Sequence, residues 1–166
     1  MPREHHLRRF LWLVSLILGI ALLDQLLKRA MIRLIGPDAD QHRIEVLGRL
    51  FALEYLENRG AAFGLFQSAT ALFAAVAIIA IGVGLFFVWR FAGRDLPMAV
   101  AICLIVGGAM GNAVDRIVRG YVVDYVAVGR FWKFNLADAC ISVGAVLLFI
   151  LLWRTGESSS LQEDVT

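Results

Sequence analysis

Apolar residues in this chain fall into four long runs instead of the short stripes of a water-soluble domain. Residues 69–89, 96–114 and 136–153 are nearly free of charge. Each is long enough to cross the roughly 30 Å hydrocarbon core of a bilayer, for which about 20 residues of helix suffice. The first run, residues 10–23, is shorter and follows Arg3, Arg8 and Arg9, the pattern of a secretory signal peptide. No small-residue cleavage site follows it, and the chain continues directly into Asp24-Gln25-Leu26-Leu27-Lys28. It therefore reads as the first of four spans.

The stretches between the spans are not plain linkers. Residues 45–57 interleave Val46, Leu47, Leu50, Phe51, Leu53, Tyr55 and Leu56 with charges, a pattern of short strands or of an amphipathic segment at the membrane surface. Residues 121–134 repeat the theme with Val122, Val123 and Val126, then Phe131, Trp132 and Phe134, aromatic residues suited to the headgroup level. The expected fold is an all-α integral membrane protein of four transmembrane helices carrying a small strand-like or amphipathic segment. One domain occupies residues 1–155, and the polar residues 156–166 are expected to form a disordered tail.

Composition agrees. Of 166 residues, 60% are hydrophobic and only 18% charged, so lipid is the solvent for most of the chain. The net charge of +2 comes from scattered Lys and Arg and leaves no nucleic-acid footprint. Cys103 and Cys140 lie inside apolar runs, where a thiol packs as a small hydrophobe, so neither a disulfide framework nor a metal site is expected. Orientation is not set by charge. Arg3, Arg8, Arg9, Arg90, Arg94 and Arg154 lie with the termini, and the rest of the 16 Lys and Arg lie on the other side. Taken literally, that count puts the termini outside.

Ionisable side chains at membrane depth are costly and face a protein interior or a wet cavity, so each is a functional candidate. Asp24 and Lys28 are four apart on one helix face, as an interfacial ion pair or as part of a site. Asn112, Asp115 and Arg116 share a face of the third span, beside Gly107, Gly108 and Gly111, whose small-xxx-small spacing suits close helix packing. Asp124 sits among apolar neighbours, and Asn135 followed by Asp138 is a helix-start signature.

Pairing Asp124 with Asp138 gives these residues a chemistry. If the strand-like segment between them returns to the membrane, both acids reach one end of the bundle near Asn112 and Arg116. Two close carboxylates in a low-dielectric site share one proton, so that one is an acid and the other a base, the chemistry of an aspartic protease. No metal or cofactor is required. His5, His6 and His42 lie away from the spans and give no support to a Ser/His/Asp arrangement. On these residues alone a small transporter or channel subunit with inward carboxylates stands level with the enzyme. A structural subunit, in which replacing Asp124 alters only stability, is the third reading.

Five blocks in order carry a resemblance. They are Asp24-Gln25-x-x-Lys28, Asn58-Arg59-Gly60-Ala61-Ala62-Phe63, Gly107-Gly108-Ala109-x-Gly111-Asn112-x-x-Asp115-Arg116, Val123-Asp124 and Phe134-Asn135-Leu136-Ala137-Asp138. Over nearly its whole length the chain resembles the lipoprotein signal peptidases, or signal peptidase II. Arg59 departs from the small polar residue, such as Thr, carried by many members. The resemblance implies a monomeric bacterial enzyme of the inner membrane with both termini cytoplasmic, which makes the strand-like segment periplasmic and puts the site near the outer face. It implies, as substrate, a prolipoprotein whose cysteine carries diacylglycerol, cleaved on the amino side of that cysteine within membrane lipid. Asp124 and Asp138 match the catalytic aspartates. Asp24, Lys28, Asn58, Asn112, Asp115, Arg116 and Asn135 match positions that line or support the site, and Gly60 and Gly108 of the same blocks are counted with them. Residues 45–63 are a candidate substrate clamp, with Gly60 letting the chain bend close.

Overall fold

The apolar runs fold into helices that continue past the runs themselves. The computed structural model describes residues 3–48, 50–60 and 70–163, so residues 61–63 of the block that starts at Asn58 lie outside the described residues. Helix α1 (Arg3–Ile35) continues through Asp24 and Lys28, and α3 (Leu96–Arg119) continues through Asp115 and Arg116. Their polar residues turn inward and are bonded there, so nothing stops the helix at the end of the apolar stretch. The other two helices are α2 (Thr70–Phe91) and α4 (Leu136–Glu163). All four are long and apolar enough to cross a membrane, α4 as far as Thr155. The α4 backbone stays helical to Glu163, into the polar stretch that composition assigned to a disordered tail.

The ends of α3 explain its limits. Asp95 is the N-cap and accepts the Met98 N–H at 3.0 Å, Pro97 lies in the first turn where its missing donor costs nothing, and Gly120 closes the helix with φ 78°, a left-handed conformation that glycine adopts without strain. This helix is the core of the bundle: most of its span is buried, whereas little of the other three is. Leu13 and Ile17 of α1 and Val88 of α2 pack against Met98, Ile102 and Val106 of α3. Cys103 is a free thiol buried in that cluster. Leu22, Ile79 and Phe149 point outward, as expected of helices whose solvent is lipid.

Both strand-like segments join one antiparallel sheet in the order β1 (Arg43–Leu47), β2 (Phe51–Asn58), β3 (Val122–Val128) and β4 (Trp132–Phe134). The β2–β3 register sets Leu56 opposite Asp124 and Asn58 opposite Val122. That pairing brings a residue from before α2 to a residue from after α3.

Helix α3 meets its neighbours through glycine. A Cβ on Gly108 would lie 2.3 Å from the Ala137 carbonyl oxygen of α4, and one on Gly111 would lie 2.5 Å from Asp24 Oδ2. Gly108 is thus a packing position, and its backbone neighbour cannot rotate away. Gly108→Ala is expected to cost about 1–3 kcal/mol in denaturant titration of the folded protein, the usual penalty of overpacking. An unchanged midpoint would mean that α3 and α4 separate freely.

Candidate active site

The site is assembled at the end of the bundle where α1 and α3 finish and α4 begins. Lys28 lies at its base, fully buried. Its Nζ is 2.8 Å from Asp24 Oδ2 and 2.9 Å from Asp115 Oδ2, and it donates to Asn112 Oδ1 at 2.9 Å. Three donors meet three acceptors, which is what a buried ammonium requires. Asp24 and Asp115 are equally buried. Of the two readings left open for Asp24 and Lys28, the interfacial ion pair does not hold: the pair faces the protein interior and is completed by the third span.

Each of the two carboxylates also anchors backbone. Asp24 Oδ1 accepts the Ala137 N–H at 3.0 Å. Asp115 Oδ2 accepts the Val123 N–H at 3.1 Å, while its Oδ1 accepts from Gln25 Nε2 at 3.0 Å and pairs with Arg119. Holding Val123 fixes the strand position of the next residue, Asp124.

The first N–H groups of a helix have no partner within it. In α4 all are met. Leu136 N–H donates to Tyr125 Oη at 3.2 Å, Ala137 N–H to Asp24, and Asp138 N–H to Asn135 Oδ1 at 3.0 Å. Asp138 Oδ2 returns the bond by accepting the Asn135 N–H at 3.2 Å. This reciprocal box is the one read from the sequence, with Asn135 as N-cap and Asp as the third helical residue.

The same residues carry the two candidate acids. Asp124 is buried, with Oδ1 accepting from Asn135 Nδ2 at 2.8 Å and Oδ2 accepting from Asn58 Nδ2 at 3.0 Å. Asn58 Oδ1 in turn accepts the N–H of buried Gly60 at 3.2 Å, which bends the chain after β2. Asp138, only half-buried, has Oδ1 accepting from Asn112 Nδ2 at 2.8 Å. The Asn112 amide cannot turn over, because its Oδ1 already accepts from Lys28 and from Asn135 at 3.2 Å. Asn135 thus touches both acids, and Lys28 reaches Asp138 through Asn112.

Burial, and after it the negative charge of Asp138, pushes the Asp124 carboxyl up to about 7, against the opposing bonds from Asn58 and Asn135. Arg116 stands beside them on α3, half-buried, its guanidinium 5.8 Å from the centre of the Phe73 ring. A cavity of about 550 Å³ opens over Asp138, bounded by Asn58 and Arg116 at the polar end and by Trp132, Phe134, Ala139 and Val143 along an apolar wall. The arrangement holds two carboxylates in different surroundings, one sealed and one open to a half-apolar cleft.

All the candidate residues named from the sequence meet in this network, Gly108 through packing. Gln25, Arg119 and Tyr125 belong to it too and were not singled out. Gln25 lies within the first motif block and Arg119 four residues after Asp115, so spacing offered a signal for both. Nothing local marked Tyr125.

A family model described as Signal peptidase (SPase) II matches residues 16–154. The chain belongs to the signal peptidase II family. Among relatives, it is 37% identical to the lipoprotein signal peptidase of Halothermothrix orenii over 139 residues, covering 83% of this chain and 92% of that protein. It is 40% identical to the lipoprotein signal peptidase of Clostridium novyi over 122 residues, covering 70% and 82%. A bacterial membrane enzyme solved by the in meso method at 2.3 Å superposes with a TM-score of 0.73 at 28% identity, covering 88% of this chain and 90% of the other. With its four apolar helices, the chain is a bacterial multi-pass membrane protein of the signal peptidase II family.

Proposed function

We propose that this protein is an aspartic endopeptidase that removes the signal peptide from diacylglyceryl-modified prolipoproteins, cutting on the amino side of the lipidated cysteine, with Asp124 and Asp138 as its catalytic pair. The observation that carries the reading is the shared Asn135, whose side-chain amide donates to Asp124 and whose backbone N–H donates to the Asp138 carboxylate, beside a cleft half lined by apolar side chains. Family membership supports it. The peptidase unit is residues 1–155, working as a monomer in the bacterial inner membrane with both termini cytoplasmic and the pair near the outer face.

In this reading Asp138, open to the cleft, is the base and Asp124 holds the shared proton. Asp138 takes a proton from water as the water oxygen attacks the scissile carbonyl carbon, and Asp124 gives its proton to the carbonyl oxygen. The tetrahedral intermediate collapses as Asp138 passes its proton to the leaving nitrogen and Asp124 recovers one from the hydroxyl. The peptide bond is broken and both acids return to their starting states. Lys28, Asn112, Asn135 and Asn58 hold the pair in place, Arg116 offers cationic donors at the cleft, and Asp24 and Asp115 balance Lys28. The apolar wall is suited to acyl chains, and the bend at Asn58 and Gly60 is the substrate-facing edge of the clamp.

Purified protein in detergent, incubated with a diacylglyceryl-modified prolipoprotein, is expected to release a product that begins at the lipidated cysteine. Absence of cleavage by folded protein, with proton or ion flux in liposomes, would favour the transporter reading. The reaction has a pH signature as well. Because the Asp124 carboxyl keeps its proton up to about 7, kcat/KM is expected to fall as pH rises through that value. A profile level across neutrality would remove Asp124 as the proton carrier.

A further inference from the structure

One strand of the sheet borders the cleft with its backbone, and the catalytic reading puts that backbone to no use. The sheet order runs from β1 to β4, so among the described residues β4 has β3 on one side and no strand on the other. Trp132, Lys133 and Phe134, the whole of β4, line the cavity over Asp138. Side chains of consecutive strand residues point to opposite faces, so a cavity that meets all three lies along the outer edge of the strand. Backbone groups alternate too: in an antiparallel ladder one residue turns its N–H and C=O to the partner strand and the next turns them away. Lys133 stands opposite Ala127 and Phe134 opposite Val126, so one of the two presents both groups to the cleft.

We propose that this edge is the subsite for the substrate segment that follows the cleaved bond, which adds to β4 as a short fifth strand, an inference that rests on the peptidase reading. A bare strand edge is a template for an extended chain, and such pairing recognises backbone whatever the side chains. The edge is tied to the chemistry. β4 continues through Asn135, which bonds to Asp124, into the first turn of α4, which carries Asp138. Though short, the strand is held firmly: Lys133 Nζ spans β3 to reach Glu54 of β2 at 2.5 Å. Chain direction selects the segment. From Asp138 the cleft follows α4 to Ser142 and Val143, deeper in the apolar span, and β4 runs towards that span. A signal peptide lies in the membrane and the mature chain leaves it, so the substrate runs the opposite way, from Val143 past Asp138 to β4. Pairing is therefore antiparallel, and the part that meets β4 is the lipidated cysteine and the residues after it.

A synthetic diacylglyceryl prolipopeptide tests this, with peptide bonds after the cysteine replaced one at a time by esters and the scissile amide left intact. An ester keeps the course of the chain but has no N–H to donate. With the unaltered protein in detergent, kcat/KM is expected to fall about two- to tenfold, the worth of one backbone hydrogen bond, for an ester at one bond and to stay level at the bonds on either side of it. The same pattern is expected in Kd for Asp124→Asn, which binds the peptide with little cutting. Level values at every bond after the cysteine, or equal losses at successive bonds, would overturn the proposal, while cleavage of the all-amide peptide would leave the peptidase reading standing. A loss present in kcat/KM but absent from Kd would be an effect on the chemical step and would overturn it as well. No cleavage of the all-amide peptide by folded protein would remove the peptidase reading and the proposal together.

Discussion

Asp138→Asn and Asp124→Asn are each expected to lower the rate of prolipoprotein cleavage by about 10²–10⁴, the range that a positioned proton donor or acceptor contributes. An amide keeps the shape of the carboxyl but cannot carry its proton. It also disturbs the local bonds, because both oxygens of each acid accept N–H donors and an amide has only one accepting atom. Activity must therefore be read beside stability, and Asp124 supplies an internal control. Its carboxyl is raised to about 7 in the fold from an ordinary value near 4. In the parent, stability is fully present below that ordinary value and is lost as pH rises towards and through 7, by roughly 4 kcal/mol at most. Asp124→Asn has no such loss, so its stability relative to the parent is expected to improve from pH 5 to pH 8 while its activity stays low at both. Full activity in either variant would remove that residue from the pair. A stability difference independent of pH would mean that Asp124 is not held protonated by the fold.

Lys28→Met is expected to be the most damaging substitution for folding. Methionine fills a similar volume but leaves Asp24 and Asp115 buried together without their cation, and removing one member of a buried ionic network typically costs 3–5 kcal/mol, so a loss of about that size is expected here. Arg119 cannot take over, because it pairs with the other oxygen of Asp115 from a partly exposed position. Denaturant titration in detergent measures the loss directly. Lys28→Arg should rescue poorly, since a planar guanidinium does not fit a fully enclosed pocket shaped around three converging oxygens. A loss under about 1 kcal/mol would mean that the two acids take up protons at little cost.

The residues that were legible in the sequence are those whose partners lie within one helical turn. Asn135 with Asp138, and Asp24 with Lys28, are set by helix geometry alone, so their spacing disclosed them. The four spans were legible because lipid imposes a length. What spacing could not disclose is which face of one span meets which face of another. Lys28 is completed by Asp115 and Asn112 of a helix more than 80 residues away, and that contact turns an apparent surface pair into a buried core. Spacing placed Asp24, Lys28, Asp115 and Arg116 on their helices, but how far α1 and α3 run beyond them, to Ile35 and Arg119, was not read. Tyr125 shows the limit most clearly, since its role is to accept a backbone N–H from the start of α4, and any residue could have supplied that N–H.

The start of α4 is held by a carboxylate 113 residues earlier in the chain. Asp24 leaves the ribosome long before Ala137, and until the last span has entered the membrane and docked, this bond cannot form. A partly made chain therefore carries Asp124 without the contacts from α4 that hold it in the complete fold. On the proposed catalytic pair, hydrolytic capacity arises only when the last span is in place.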